Sequence, residues 1–243
     1  MKITKSKLRQ IIKESLEDEH KKIIIDLFKS GGDDLQQAKE IIASLGIEDF
    51  FYRADLQNVK MAGFDLRNVN LSRADMMRAN LRGADLRGTN LTRTFLERAN
   101  VSSADLSNAI IRGTYFRNTN LGGANFTGAD LTKVNMTETY MYEANLTDAN
   151  LENADLYRTN FQNANLTGAN LKNMRAKICD FRGANLTNVD LTGADLTYSF
   201  LNDVDLTGAI IKNTDLQEVS FDETTIWPEG FEPSHTFTDT IWE

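Results

Sequence analysis

Residue types that perform catalysis or hold metals are sparse in this 243-residue chain. Its two histidines, His20 and His235, stand near opposite ends, and neither belongs to a grouping of cysteines and carboxylates with metal-ligand spacing. The single cysteine, Cys179, stands in a repetitive segment where small apolar residues recur, so we interpret it as a core residue. The sequence contains no phosphate-binding glycine loop and no GxSxG motif. It therefore predicts a protein that is not an enzyme and uses no cofactor or metal.

The chain repeats a five-residue phrase, seen most clearly in ANLTDANLENADL at residues 144–156. Every fifth residue from Leu56 to Ile226 is large and apolar, with the exception of Ala176. A small or β-branched residue usually stands two positions earlier, and Asp or Asn usually stands between the two. We give the five positions of the phrase names, in chain order: the small, linking, central, first-corner and second-corner positions.

A period of five matches neither the turn of an α-helix nor the two-residue alternation of a strand. If the small and central residues point inward, the other three point outward and the chain turns once in each phrase. Gly or Asn often occupies the second corner, as at Asn58, Gly63 and Gly83. A type II turn requires a positive φ at that position. The sequence therefore predicts a solenoid of short segments joined by tight turns.

Residues 54–226 resemble the pentapeptide-repeat family through this phrase and its nearly unbroken register. The resemblance implies a mainly β fold, a right-handed quadrilateral parallel β-helix solenoid in which four phrases complete one coil. Coils stacked ~4.8 Å apart would form a rod of roughly 40 Å. A threonine recurs at the spacing of one such coil, as expected if like residues stack: Thr127, Thr147, Thr167, Thr187 and Thr207.

The segments on either side of the repeat predict caps, which protect the open ends of a stacked β structure. We divide the chain into an N-terminal helical region and cap (1–53), the repeat (54–226) and a C-terminal cap or tail (227–243). Residues 34–53 form the predicted α-helical cap, in which Phe50 and Phe51 cover the first coil. Trp227 and Phe231 are expected to lie across the last coil, because the family often ends its helix with a Trp-Pro phrase.

An amphipathic helix is also predicted before the cap, with an apolar stripe that includes Leu8, Ile12 and Leu16. Two alternatives remain for this helix. Either it folds back as half of a helical hairpin, or it projects and binds a partner. The second alternative makes the three residues interaction candidates and would support a homodimer or an assembly through this terminal region.

The outer wall of the predicted solenoid carries two columns of arginines. Arg53, Arg73 and Arg93 share one column, and Arg78 and Arg98 share the next. Either neighbouring carboxylates neutralise the columns, or the columns belong to a protein-interaction surface. The carboxylates available for neutralisation are Asp65, Asp75 and Asp85.

Several linking positions hold large residues where Asp or Asn is expected: Phe95, Ile110, Tyr115, Tyr140, Arg175, Phe200 and Ile210. Phe95 and Tyr115 are one predicted coil apart, so their rings should stack on one face. Outward aromatic side chains on a rigid rod indicate a protein contact surface, or they stabilise neighbouring coils. We select Phe95, Tyr115, Tyr140 and Phe200 as interaction candidates.

Charge and composition limit the classes of partner. The net charge is −8, which argues against direct nucleic-acid binding. Residues 53–118 hold 11 Lys and Arg against 6 Asp and Glu, whereas residues 119–226 hold 7 against 15. The sequence shows no secretion signal and no membrane span. We therefore expect a cytoplasmic protein that binds a protein partner, with incorporation into a larger particle left open.

The resemblance implies two classes of function. Most family members are best regarded as rigid interaction scaffolds, and some mimic duplex DNA and inhibit type II topoisomerases such as gyrase. We favour a non-catalytic scaffold, because the arginine columns interrupt the anionic surface that a DNA mimic needs. The opening residues are weakly similar to those of some phage and marine bacterial proteins, so a structural subunit of a phage or other large assembly is a third hypothesis.

Overall fold

The computed structural model describes residues 51–233, which form a stack of coils. Parallel bridges connect each linking residue to the linking residue 20 positions later, from Asp55 and Asp75 onward, except that Asp205 bridges to Ile226, 21 positions later. Four phrases therefore complete one coil, as the sequence analysis predicts. Within residues 51–233 there is no α-helix and no strand longer than one bridge, because a corner interrupts the chain in every phrase.

The bridges run in four columns, which define four outer faces. Face 1 contains the linking residues from 55 to 215, face 2 those from 60 to 220, face 3 those from 65 to 226, and face 4 those from 70 to 210. Corner 4–1 precedes face 1. In the first five coils it contains the corner residues 52–53, 72–73, 92–93, 112–113 and 132–133. Corner 1–2 follows face 1. In the first five coils it contains the corner residues 57–58, 77–78, 97–98, 117–118 and 137–138.

Each corner is a tight turn with one residue in the left-handed conformation. Every second-corner residue from Arg53 to Glu218 has a φ between 54° and 71°. Across the turn, the N–H of the next small residue usually donates to the central carbonyl, as from Val59 to Leu56 at 3.2 Å. The predicted positive φ is confirmed. It is not restricted to Gly and Asn, since the stack imposes it even on the β-branched Ile178, at φ 57°.

The preference for Asp or Asn at the linking position follows from the hydrogen bonds of the backbone. In the phrase that begins at the linking residue Asn145, the N–H groups of Asn145, Leu146 and Asp148 donate to carbonyls of neighbouring coils. The N–H of Ala149 donates across the corner at 3.0 Å. The remaining N–H, that of Thr147, donates to Oδ1 of Asn145 at 3.1 Å. The linking side chain therefore supplies an acceptor that the backbone lacks.

The central and small residues form one continuous hydrophobic core along the stack. Phe161 and Phe181 occupy consecutive coils there, with parallel rings whose centroids are 5.0 Å apart. Cys179 is fully buried, and its Sγ donates to the Leu156 carbonyl at 2.7 Å. Burial raises the pKa of the Cys179 thiol well above its usual range. The interpretation of Cys179 as a core residue is confirmed.

The ends of the repeat differ from the sequence prediction. Phe51, which we assigned to the cap, is 2% exposed and occupies a central position one phrase before Leu56. The prediction that Ile226 is a central residue is wrong, because it bridges to Asp205 as a linking residue and is 52% exposed. The last corner contains one additional residue, so Trp227 follows as the central residue.

A cluster of aromatic residues closes the C-terminal end. Trp227 contacts Phe221 edge-on and Phe231 at a tilt, with ring centroids 5.3 Å and 5.2 Å apart. Asp222 fixes the preceding corner, because its Oδ1 accepts hydrogen bonds from the N–H and the hydroxyl of Thr224. The hydroxyl bond from Thr224 is the main cause that lowers the pKa of Asp222 to about 2. Trp227 packs against the core at the last coil, as predicted, and Phe231 contacts Trp227.

The N-terminal predictions lie outside the described residues. They include the α-helical cap up to residue 50, the interaction candidates Leu8, Ile12 and Leu16, and His20; at the C-terminal end, His235 also lies outside the described residues. The alternatives for the first helix therefore stay predictions. Within residues 51–233, no helix is both long enough and apolar enough to cross a membrane.

Candidate interaction surface

Phe95 and Tyr115 form an exposed aromatic stack on face 1. They are linking residues of consecutive coils, and the structure joins them by a parallel bridge. Their rings are 8° from parallel, with centroids 5.1 Å apart, and the two residues are 39% and 41% exposed. The predicted stack is confirmed. Because neither side chain has a carboxamide or carboxylate, each gives up the acceptor that a linking residue supplies to its corner.

Arginines flank this stack on both sides. Arg73 and Arg93 lie in corner 4–1, and Arg78 and Arg98 lie in corner 1–2, all at the second-corner position with φ between 57° and 59°. All four are exposed. Among residues 51–233, none of the four side chains has an ion-pair partner. Arg53 continues corner 4–1 one coil before Arg73 and is also exposed.

The expected neutralising carboxylates have other partners. On face 3, Arg67 pairs with Asp65 at 2.9 Å and with Asp85 at 3.5 Å, and Arg87 pairs with Asp85 at 2.7 Å. The hydrogen bond from Arg87 is the main cause of a lowered pKa at Asp85. The carboxylates of face 3 therefore neutralise Arg67 and Arg87, and not the arginines beside face 1.

Asp75, the third expected carboxylate, lies on face 1 itself. It accepts hydrogen bonds from Nε2 of Gln57 at 2.7 Å and from the N–H of Met77 at 3.1 Å. These bonds use its oxygens within the coil stack. The alternative that Asp65, Asp75 and Asp85 neutralise the arginine columns is therefore not supported by their contacts.

Glu97 is a residue of this surface that the sequence analysis missed. It occupies the first corner after Phe95, and its Oε2 is buried with no hydrogen-bond partner among residues 51–233. Burial is the main cause of a raised pKa at Glu97, and the nearby charge of Asp75 raises it further. No signal in the sequence identified it, because the burial of this oxygen depends on how the corner packs against its neighbours.

The remaining candidates are not part of the stack. Tyr140 and Phe200 both lie on face 2, several coils apart, so they do not contact each other. Tyr140 is 51% exposed, whereas Phe200 is half-buried, with the guanidinium of Arg182 over its ring at 5.6 Å from the centroid. Tyr198, at 59% exposure, is an exposed aromatic residue that the sequence analysis missed, because it stands at a second corner and not at a linking position.

The geometry defines a parallel β-helix solenoid with one aromatic and cationic face. The family model for pentapeptide repeats matches residues 51–88, 79–118, 109–148, 135–173, 144–183 and 184–223. The chain therefore belongs to the pentapeptide-repeat family, and its fold is the right-handed β-helix of that family. No curated protein sequence matches the chain.

Three solved structures illustrate the similarity. HetL, a pentapeptide repeat protein involved in heterocyst differentiation regulation from Nostoc sp. strain PCC 7120, is 23% identical over 75% of this chain and 93% of its own, with a TM-score of 0.47. Full-length QnrB1, a plasmid-mediated fluoroquinolone resistance protein, is 21% identical over 68% and 80%, with a TM-score of 0.41. Rfr23 from the cyanobacterium Cyanothece 51142 is 26% identical over 61% and 90%, with a TM-score of 0.32. Values this low do not transfer a function to the chain.

Proposed function

We propose that the protein is a non-catalytic, rigid scaffold that binds an acidic protein partner through face 1. The observation that carries the proposal is the exposed stack of Phe95 and Tyr115 between arginines without ion-pair partners. Aromatic and arginine side chains supply most of the binding energy in typical protein interfaces. A guanidinium also binds carboxylates through two parallel hydrogen bonds, which favours an acidic partner.

The coil stack suits this role because it presents the side chains on a fixed backbone. Phe95 donates its N–H to Ala74 at 3.0 Å, and Tyr115 donates its N–H to Thr94 at 3.0 Å. The two rings also stack on each other across consecutive coils. Little conformational freedom is then lost when a partner binds, so more of the contact energy appears as affinity.

The described chemistry supports a binding role more than a catalytic one. Within residues 51–233, no group of His, Cys, Asp and Glu side chains is arranged to hold a metal ion. The thiol of Cys179 is buried and hard to ionise. A DNA mimic would need a continuous anionic surface, and the arginines of corners 4–1 and 1–2 oppose that. The gyrase-inhibitor and structural-subunit hypotheses therefore stay alternatives.

A pair of double variants tests the proposal. Phe95→Asn with Tyr115→Asn restores the usual linking residue, so folding should be preserved. Tyr140→Asn with Phe200→Asn is the matched control, because it removes two aromatic linking residues from face 2. Each full-length protein is used for affinity capture from extract of the native cell, and the captured partner is identified and titrated.

We expect the face 1 variant to weaken binding of the partner at least tenfold and the face 2 variant to change it less than twofold. Binding should also weaken as salt rises, because charge attraction contributes. Equal binding by wild type and the face 1 variant would refute the proposal and direct attention to the helix around Leu8, Ile12 and Leu16. Potent, salt-sensitive inhibition of gyrase supercoiling would instead favour the DNA-mimic alternative.

A further inference from the structure

A groove of about 700 Å³ runs along corner 4–1, beside face 1. In its second-corner column, Arg73, Arg93, Gly113 and Lys133 follow one another in consecutive coils. Gly113 therefore leaves a gap in a column of cations. We propose that this gap is a binding site for a doubly charged phosphate group, held between Arg93 and Lys133.

The gap at Gly113 is open, unlike the space at most other corner glycines. At six other corner glycines, a side-chain oxygen of the preceding coil would lie only 2.4 to 2.9 Å from an added Cβ. These six are Gly88, Gly128, Gly168, Gly183, Gly193 and Gly208. At Gly113 the nearest atom to an added Cβ would be Cγ of Arg93, at 3.7 Å. No carboxamide or carboxylate atom lies within 4 Å of this added Cβ, so a ligand has access to the cations on both sides.

Glycine is not needed at this position for the turn itself. Asparagine adopts the same positive φ at many second corners, including Asn58 and Asn118 at 59° and 58°. The property that distinguishes Gly113 is therefore the absence of a side chain between two cations. Lys133 and Arg93 are two coils apart, about 10 Å between their backbones, and flexible side chains from both sides reach a small anion between them.

The charges around the gap favour a dianion. Among residues 51–233, the side chains of Arg93 and Lys133 have no ion-pair partner. Arg112, in the same corner as Gly113, is held by an ion pair to Asp130. Glu152 lies in the same corner of the coil after Lys133 and is not among the residues that line the groove. The cations nearest the gap thus outnumber the carboxylates.

A hydroxyl group adds a neutral donor. Thr92 lines the groove, and within residues 51–233 its hydroxyl makes no hydrogen bond, whereas the hydroxyl of Thr132 donates to Asp130 at 2.6 Å. A tetrahedral phosphate accepts bonds from several directions at once, which suits donors on opposite sides of a gap. A carboxylate has one charge and two coplanar oxygens, so it would use fewer of these donors.

Inorganic phosphate is the first probe, titrated into the full-length protein at constant ionic strength and followed by NMR. Gly113→Asn fills the gap with a residue that tolerates the turn. Gly123→Asn is its matched control, because Gly123 has a φ of 65° and only Oγ of Ser103 near an added Cβ, at 3.7 Å. Arg93→Asn with Lys133→Asn removes the charges, and Arg78→Asn with Arg98→Asn removes the same number in corner 1–2.

We expect saturable millimolar binding that weakens at least tenfold in Arg93→Asn with Lys133→Asn and at least threefold in Gly113→Asn. The two control variants should stay within twofold of wild type. Equal losses in the charge variant and its corner 1–2 control would show general attraction to a basic surface and overturn the proposal. Absence of saturable binding would overturn it as well.

Two further experiments determine whether the phosphate belongs to a protein segment or is free, and whether face 1 takes part in binding it. A phosphoserine peptide that binds more tightly than inorganic phosphate, with no binding by its unmodified form, would indicate a phosphorylated protein segment, and equal binding would indicate free phosphate. The site does not depend on the proposed function. Phe95→Asn with Tyr115→Asn should therefore bind phosphate like wild type, even if partner capture is lost.

Discussion

The phrase around Ala176 exchanges its large and small residues, and this exchange gives a direct test of core packing. Neighbouring coils place alanine at the small position and leucine at the central one, as in Ala154 and Leu156. Here Met174 holds the small position and Ala176 the central one, and the two are 1% and 0% exposed. The backbone bonds continue normally, with Ala176 donating to Asp195 at 2.7 Å. We infer that Met174 fills the volume that a central leucine would occupy.

Three variants measure this compensation. Met174→Ala should destabilise the protein by about 2–5 kcal/mol, because it leaves a cavity. Ala176→Leu should destabilise it by about 1–3 kcal/mol, because three carbon atoms enter a filled core. The double variant restores the order of the neighbouring coils and conserves volume, so it should lie within about 1.5 kcal/mol of wild type. The two substitutions are therefore expected to be strongly coupled.

Equilibrium urea denaturation, followed by circular dichroism, gives the four free energies of unfolding for this cycle. The comparison requires that the free energy of unfolding falls with urea concentration at the same slope in all four proteins. If the two single effects simply add in the double variant, Met174 does not fill the space of the missing leucine. A gain of more than about 1 kcal/mol from Ala176→Leu alone would show that the site is an unfilled cavity.

Two further predictions concern a strained corner and a buried acid. Ile178→Asn should stabilise the protein by about 1 kcal/mol in urea denaturation, because a β-branched residue is unfavourable at φ 57°; a loss of stability would show that its apolar contacts outweigh the strain. The pKa of Glu97 is raised by burial, so its contribution to stability is present below the unfolded pKa and is lost as pH rises through the folded pKa. Glu97→Gln should therefore raise the melting temperature at pH 7 and change it little near pH 3, and an equal rise at both values would contradict this reasoning.

The repeated phrase made most of the fold predictable. Inward small and central residues and the positive φ at the second corner follow from residue type alone. The number of phrases per coil does not, because a five-residue period is compatible with different numbers of sides. That number came from the family resemblance, and the bridge between Asp55 and Asp75 confirms it.

The C-terminal end shows why periodicity fails where a corner changes length. Ile226 has the spacing and the side chain of a central residue, yet it is exposed. Asp222 and Thr224 form their own hydrogen-bonded turn and add one residue to the corner. Only Trp227, one residue later, packs against the core. A local turn of this kind shifts the register without altering the apolar pattern before it.

The interaction surface was predictable in part. The spacing of Phe95 and Tyr115 predicted their stack, because residues one coil apart lie above each other. The buried oxygen of Glu97 was not predictable, since it depends on the packing of a corner against its neighbours. The sequence also left the pairing of the arginines open, because distance along the chain does not show which carboxylate a guanidinium reaches.

The position of a cation within the phrase accounts for its pairing. First-corner cations usually reach a carboxylate at a linking position of their own coil or the next: Arg67, Arg87, Arg112, Lys172, Lys177 and Arg182. Second-corner cations of the described residues have no ion-pair partner: Arg53, Arg73, Arg78, Arg93, Arg98, Lys133 and Arg158.

This difference bears on function, because folding alone does not favour arginine at a second corner. The left-handed conformation costs an ordinary side chain roughly 1 kcal/mol, and asparagine or glycine would reduce that cost. Arg73, Arg93, Arg78 and Arg98 nevertheless hold such positions on the two corners beside the aromatic stack. A strained conformation that also leaves charge unneutralised is more consistent with a binding role than with stability. The same residues thus connect the strain in the corners to the proposed acidic partner of face 1.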